Sequence, residues 1–198
     1  MFKTNLKTRG PAAVLGLLLL LTVVDAGVPS ERADTLRLEL IGDFVVMSQA
    51  PYRWTVFEAG RRMFVDRPHE YRSAPPALNG RLTLMTANGD KYWEAVETTF
   101  ISFVVKRDSV VYVLYHPRFT QLEDVWLNER YGWKREAFVV GTSQGGVKAK
   151  RQVRSRFFPG GSRVELGGTG CVMRNCDMYT VVVVPAPPAG ETPAGHIP

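Results

Sequence analysis

Two cysteines and three histidines are all that 198 residues offer as soft or imidazole metal ligands. A structural zinc takes four such ligands, and His69, His116 and His196 show no ligand spacing with Cys171 and Cys176, so a Cys/His metal site is excluded. No cofactor is expected. Calcium held by backbone carbonyls and scattered acids leaves no sequence signature and stays open. Beyond the N-terminal segment no apolar run approaches the roughly 20 residues of a membrane-spanning helix. No stretch there shows an apolar face repeating every 3.6 residues, which excludes a helical bundle. An N-x-S/T sequon is also missing.

What the N-terminus does contain is a three-part pattern. Lys3, Lys7 and Arg9 precede an apolar stretch from Ala12 to Val24, and small residues follow around Asp25-Ala26. This reads as a secretory signal peptide over 1–26, with a secreted, extracellular mature chain starting near Gly27. Removing it takes away three basic and one acidic residue, so the formal charge falls from +6 to +4 (6 − 3 + 1). That balance argues against nucleic acid as a partner and is compatible with acidic glycans or anionic surfaces. About 170 residues suit one domain, placed at 34–184, with the proline-rich 185–198 as a disordered tail.

Within 34–184 the apolar period is two. Strands are expected at 36–41 (LRLELI), 61–66 (RRMFVD), 81–86, 98–105, 109–115, 136–140 (EAFVV) and 178–184. Asn79-Gly80 and Asn88-Gly89 read as tight turns with positive φ, and the glycine pairs 160–161 and 167–168 flank a further strand, SRVEL. So many short strands indicate an all-β, two-layer antiparallel β-sandwich, because a single sheet leaves one apolar face wet.

Residues 98–184 carry a more specific pattern: TTFISFVVKRDSVVYVLY, then HPR, VWL, RSRFFPGGSRVELGG and DMYTVVVV. This order resembles the galactose-binding-like β-sandwich modules of secreted and cell-surface proteins, with departures at His116 and Val125. The resemblance implies a jelly-roll sandwich, an arginine at position 118 after the VYV strand, and a Trp126 that folds back to plug the core. Trp133 has no counterpart in the pattern. It lies in the polar, basic RYGWKRE and is the expected exposed ring for stacking against a sugar, with Tyr131, Arg135 and Arg118 as its ligand-binding companions.

Cys171 and Cys176 fall in one connection of a chain expected in an oxidising compartment, which points to a disulfide. VVGTSQGG contains the G-x-S-x-G pattern of a nucleophile elbow (Gly141, Ser143, Gly145), which Asp177 and His196 complete in chain order. An elbow must turn into a helix, whereas GVKAKRQVRSRFF alternates as a strand, so GTSQGG is read as a hairpin loop. The basic residues of KAKRQVRSR admit a solvated strand face, contact with a sulfated or uronic-acid glycan, or cleavage after Arg151 by a dibasic-specific secretory protease. The expected function is a secreted, non-catalytic carbohydrate-binding module. A structural or adhesion module meeting another extracellular protein is second, and a small serine hydrolase third.

Overall fold

The computed structural model describes residues 31–187, apart from 94, 95, 97, 119, 145–148 and 172–175. The expected signal peptide, His196 and most of the expected tail lie outside the described residues. The described chain opens with helix α1 (Glu31–Leu40) and then builds ten strands: β1 (Ile41–Val46), β2 (Arg53–Val56), β3 (Leu82–Met85), β4 (Thr99–Val105), β5 (Ser109–Tyr115), β6 (Lys134–Arg135), β7 (Val140–Gly141), β8 (Lys150–Phe158), β9 (Arg163–Gly167) and β10 (Thr180–Pro185). A short helix α2 (Thr120–Val125) follows β5.

These strands form two antiparallel sheets. The smaller has the order β1-β4-β9, and the larger β2-β3-β10-β5-β8-β6, with β7 also pairing β8. Register shows which face of the large sheet is the core. Trp54, Leu84, Val181, Val113 and Arg154 lie side by side across β2, β3, β10, β5 and β8. The Trp54 ring meets Phe103 of β4 edge to face at 5.7 Å, so this row looks toward the small sheet. The all-β sandwich read from the period-two runs is the observed architecture.

The opposite face of the large sheet is covered too. Thr180 and Leu114 pair on that face, and the Tyr71 hydroxyl donates to Thr180 Oγ1 at 3.0 Å. Tyr71 belongs to the excursion 57–80 between β2 and β3, whose Phe57, Met63, Phe64 and Leu78 are all buried. The expected strand at 61–66 is part of this irregular cover. It forms isolated bridges, such as Arg62 to Glu70 and Phe64 to Thr86, rather than a continuous ladder.

Three further expectations are corrected. LRLELI alternates like a strand, yet 36–40 completes α1. Ala33, Leu36 and Leu40 recur at i, i+3 and i+7 and turn inward, and Glu31 and Asp34 suit the positive end of the helix. Leu38, which strand alternation would bury, is 65% exposed. Of EAFVV, Glu136 N donates to the Val153 carbonyl of β8 at 2.9 Å and Val140 pairs β8, while 137–139 form no strand. Asn88-Gly89 begins a 3-10 helix (Asn88–Tyr92) rather than a hairpin turn, and its amides donate to the Asp66 carboxylate at 2.7 and 2.9 Å. Asn79-Gly80 does turn as expected, with Gly80 at φ 73° where the chain re-enters β3.

Candidate functional site

A cleft of about 250 Å³ opens where the small sheet ends at β9 and the large sheet continues through β8. It is lined by Trp126, Tyr131, Trp133, Arg156, Phe158, Arg163 and Glu165. Alternation along the two strands explains the charged members. Arg156 and Phe158 share one face of β8, and Arg163 and Glu165 share the exposed face of β9.

The aromatic members come from the chain after β5. The Asn128 side chain accepts from Arg130 N at 3.0 Å and donates to the Glu123 carbonyl at 2.6 Å, fixing a single 3-10 turn (Glu129–Tyr131) against α2. Gly132 then adopts φ 79°, a left-handed conformation that side chains resist. This reversal leaves Tyr131 46% exposed and sends Trp133 inward, where it is 2% exposed. Trp133 therefore is not the exposed ring expected from its polar neighbours. It packs edge to face on Trp126 and Phe158, with centroids 6.0 and 6.1 Å away. Trp126, expected to plug the core, is half-buried and also meets Tyr179 at 5.5 Å. Its indole N–H donates to the Gly168 carbonyl at 3.4 Å. Gly167 fits flat beneath this ring, since a Cβ there would stand 2.6 Å from Trp126 Cδ1.

Of the expected ligand-binding residues, the structure brings Tyr131 and Trp133 into this cleft and not the other two. Arg135 lines a separate cleft of about 420 Å³ with Glu136, Phe138, Val139 and Gln152. Arg118 is exposed in the turn after β5, where its backbone N–H donates to His116 Nδ1 at 3.1 Å. That bond explains how a buried histidine serves where the resemblance would place an aspartate. Arg163 was not singled out by the sequence. The alternation of S-R-V-E-L carried the signal, but only the fold shows that Arg163 lines the same cleft as Arg156.

The basic stretch is not a solvated strand face. Arg151 is fully buried, and its Nη2 donates to Gln144 Oε1 at 2.6 Å and to Asp177 Oδ2 at 3.1 Å. Burial pushes this guanidinium below its ordinary range, against the pull of Asp177. Arg154 donates to Glu123 Oε1 from Nε and Nη2 at 3.2 and 3.0 Å, and to the Trp133 carbonyl from Nη1 at 3.3 Å. Burial pulls Arg154 down, but Tyr115 and Glu123 outweigh it and hold it above the usual range. The Tyr115 phenol donates to the Glu123 carboxylate, and burial followed by that carboxylate raises its own pKa. Arg154 ties β8 to the Trp133 backbone beneath the site, Arg151 lies on the opposite face of β8, and Arg156 lines the cleft itself.

The G-x-S-x-G segment joins β7 to β8 as a hairpin connection, with Thr142 N donating to the Ala149 carbonyl at 2.7 Å. Gly145 lies outside the described residues, and strand rather than helix begins at Lys150. The Ser143 hydroxyl accepts from Glu70 N at 2.9 Å, and Ser143 N donates back to the Glu70 carbonyl at 2.9 Å. The segment thus clamps the excursion that covers the large sheet. A disulfide joins Cys171 and Cys176 as expected. Lys91 Nζ ties its loop to the 3-10 helix by donating to the Cys176 carbonyl at 2.9 Å. Among the described residues no three or more His, Cys, Asp or Glu side chains are grouped to hold a metal. No helix among them is long and apolar enough to cross a membrane.

No protein-family model matches this sequence, and no curated protein matches it. Two solved structures are similar in fold. One is a β-glucuronidase from glycoside hydrolase family 2, with a TM-score of 0.60 and 21% identity over 74% of this chain and 15% of that one. The other is a GH138 enzyme targeting pectin rhamnogalacturonan II, with a TM-score of 0.50 and 15% identity over 72% of this chain and 16% of that one. This chain therefore corresponds to about a sixth of each enzyme's length, and at these identities the likeness is one of fold.

Proposed function

We propose that this chain is a secreted, non-catalytic module that binds carbohydrate in the cleft between β8 and β9. One observation carries the reading: a half-exposed Tyr131 stands over a packed aromatic floor and shares a small cavity with two arginines and a glutamate. An aromatic ring offers an apolar face to the C–H side of a sugar, and a few convergent charged groups bond its hydroxyls. The fold likeness to two carbohydrate-active enzymes and the disulfide, which suits an oxidising compartment, support it. The non-catalytic part rests on the lining: Glu165 is its sole carboxylate among the described residues, whereas glycoside hydrolysis ordinarily takes a pair. Probing a glycan array with the mature protein tests the reading. Binding that Tyr131→Ala removes, without hydrolysis of the bound glycan, is the expected result.

The adhesion reading draws on a different feature. Val45 and Met47, at the edge of the small sheet, are 50% and 58% exposed. An empty array together with specific capture by an extracellular protein that Val45→Lys abolishes would favour it.

A further inference from the structure

We infer that the β8/β9 cleft is built for a sugar bearing a carboxylate, a uronate residue at a chain end, in preference to a neutral hexose. The inference rests on the carbohydrate reading above and specifies its ligand class. The cleft's formal side-chain charge is +1, from Arg156 and Arg163 against Glu165 (2 − 1). What matters more is how weakly those arginines are engaged.

Arg156 makes no ion pair among the described residues. Its guanidinium lies over the Phe158 ring at 4.7 Å, a contact that orients the plane without neutralising the charge. The Gly132 turn lies against it, within ordinary contact distance of Arg156 Nε. Arg163 pairs with Asp43 at 3.5 Å, but the two side chains are 46% and 74% exposed, so water and salt screen the pair. Its other contact, Nη1 to Ser102 Oγ, is long at 3.4 Å. Both forks can therefore turn to a ligand at small cost. Arg151 and Arg154, in contrast, are already paired, with the buried Asp177 and the half-buried Glu123.

Geometry then selects among anions. A guanidinium presents two parallel N–H donors that match a planar carboxylate edge to edge, which a tetrahedral sulfate ester matches less well. With the carboxylate on the arginines, Glu165 is left to accept from ring hydroxyls and Tyr131 to cover the C–H face. Size points the same way: about 250 Å³ falls below the roughly 300–1,000 Å³ of drug-sized sites, which suits one terminal residue rather than a long chain. The neighbouring 420 Å³ cleft lacks this character. Its Arg135 is offset by Glu136, which in turn accepts from Ser155.

The test is calorimetric titration of the full mature protein. The probes are oligosaccharides ending in glucuronate, galacturonate or mannuronate, each paired with its carboxyl-reduced neutral counterpart and a sulfated analogue of that counterpart. We expect one uronate to bind at least about tenfold tighter than its reduced partner, the yield of one charge-assisted hydrogen bond pair. That margin should vanish in Arg156→Gln and shrink in Arg163→Gln, while Arg37→Gln, exposed on α1, leaves it intact. Should Arg156→Gln fail to fold, Arg156→Lys keeps the charge and removes the fork, and must still erode the margin. Equal binding of acid and reduced forms, lost together in Tyr131→Ala, overturns the uronate inference and leaves the carbohydrate reading standing. A sulfated analogue that binds as tightly as the uronate overturns the carboxylate choice. No binding of any probe overturns both.

Discussion

Trp126 and Trp133 meet edge to face, with ring centroids 6.0 Å apart and planes at 72°, and the two rings take different parts at the site. Trp133 is the buried support, and Trp126 is the half-exposed wall resting on it. Such pairs contribute about 0.5–1.5 kcal/mol beyond burial. Trp133→Ala should therefore cost roughly 3–5 kcal/mol, the range for removing a large core aromatic. Tyr131→Ala, one turn away but 46% exposed, should stay within about 0.5 kcal/mol of the native protein. Urea denaturation of the two variants checks the contrast, and a tolerated Trp133→Ala would contradict it.

The Arg151–Asp177 pair should behave as a buried charge pair. Its side chains are 0% and 3% exposed, and Gln144 donates to the second carboxylate oxygen at 3.1 Å. Asp177→Ala leaves the guanidinium buried beside no carboxylate and should cost about 3–5 kcal/mol. The double variant Arg151→Met/Asp177→Leu should recover most of that loss, because the desolvation penalty goes with the charges. Chemical denaturation of the three proteins is the measurement.

Ser143 should be structural. Its hydroxyl serves the Glu70 amide, so Ser143→Ala should cost about 1 kcal/mol, an ordinary net hydrogen bond. A fluorophosphonate probe should leave the wild-type serine unlabelled, since activation needs a base within reach of the hydroxyl. Labelling that Ser143→Ala abolishes would restore the hydrolase reading.

Stability should fall steeply in alkali. Burial, first among the causes, raises the phenols of Tyr52, Tyr71 and Tyr179 above their ordinary value, and Asp90 adds to the effect at Tyr52. Above about pH 10 the unfolded chain ionises these tyrosines while the folded one keeps their protons. The unfolded state then binds fewer protons, so stability is complete below about pH 10 and declines as pH rises past it. Thermal midpoints measured from pH 8 to 11 should be level and then drop, with a shallower drop in Tyr179→Phe.

Much of the sandwich was legible because β4, β5 and β10 are runs of β-branched and aromatic residues, which pair as strands in the fold. Residues 36–40 misled because LRLEL satisfies a period of two on its face. The helical signal lay in Ala33, Leu36 and Leu40 together with the acidic first turn, and it required starting the window before residue 34. The site was half legible. Tyr131 and Trp133 were picked for their polar setting, but which of the two faces water depends on one left-handed glycine. Arg163 was invisible as a site residue because Arg156, which lines the same cleft, belongs to the other sheet. Arg151 and Arg154 looked solvated because their carboxylates, Asp177 and Glu123, are 26 and 31 residues away.

The central claim is that a sugar occupies the cleft under Tyr131, and two-dimensional NMR of the mature protein titrated with a glycan it binds tests this most directly. The chain has four tryptophans, and the indole N–H of Trp126 reports from the cleft wall through its bond to Gly168. The account predicts saturable shifts of that indole signal and of the Tyr131, Arg156 and Arg163 amides, absent in Tyr131→Ala. Shifts confined to Arg135, Phe138 and Val139, with the Trp126 indole unmoved, would place the ligand in the other cleft and contradict it.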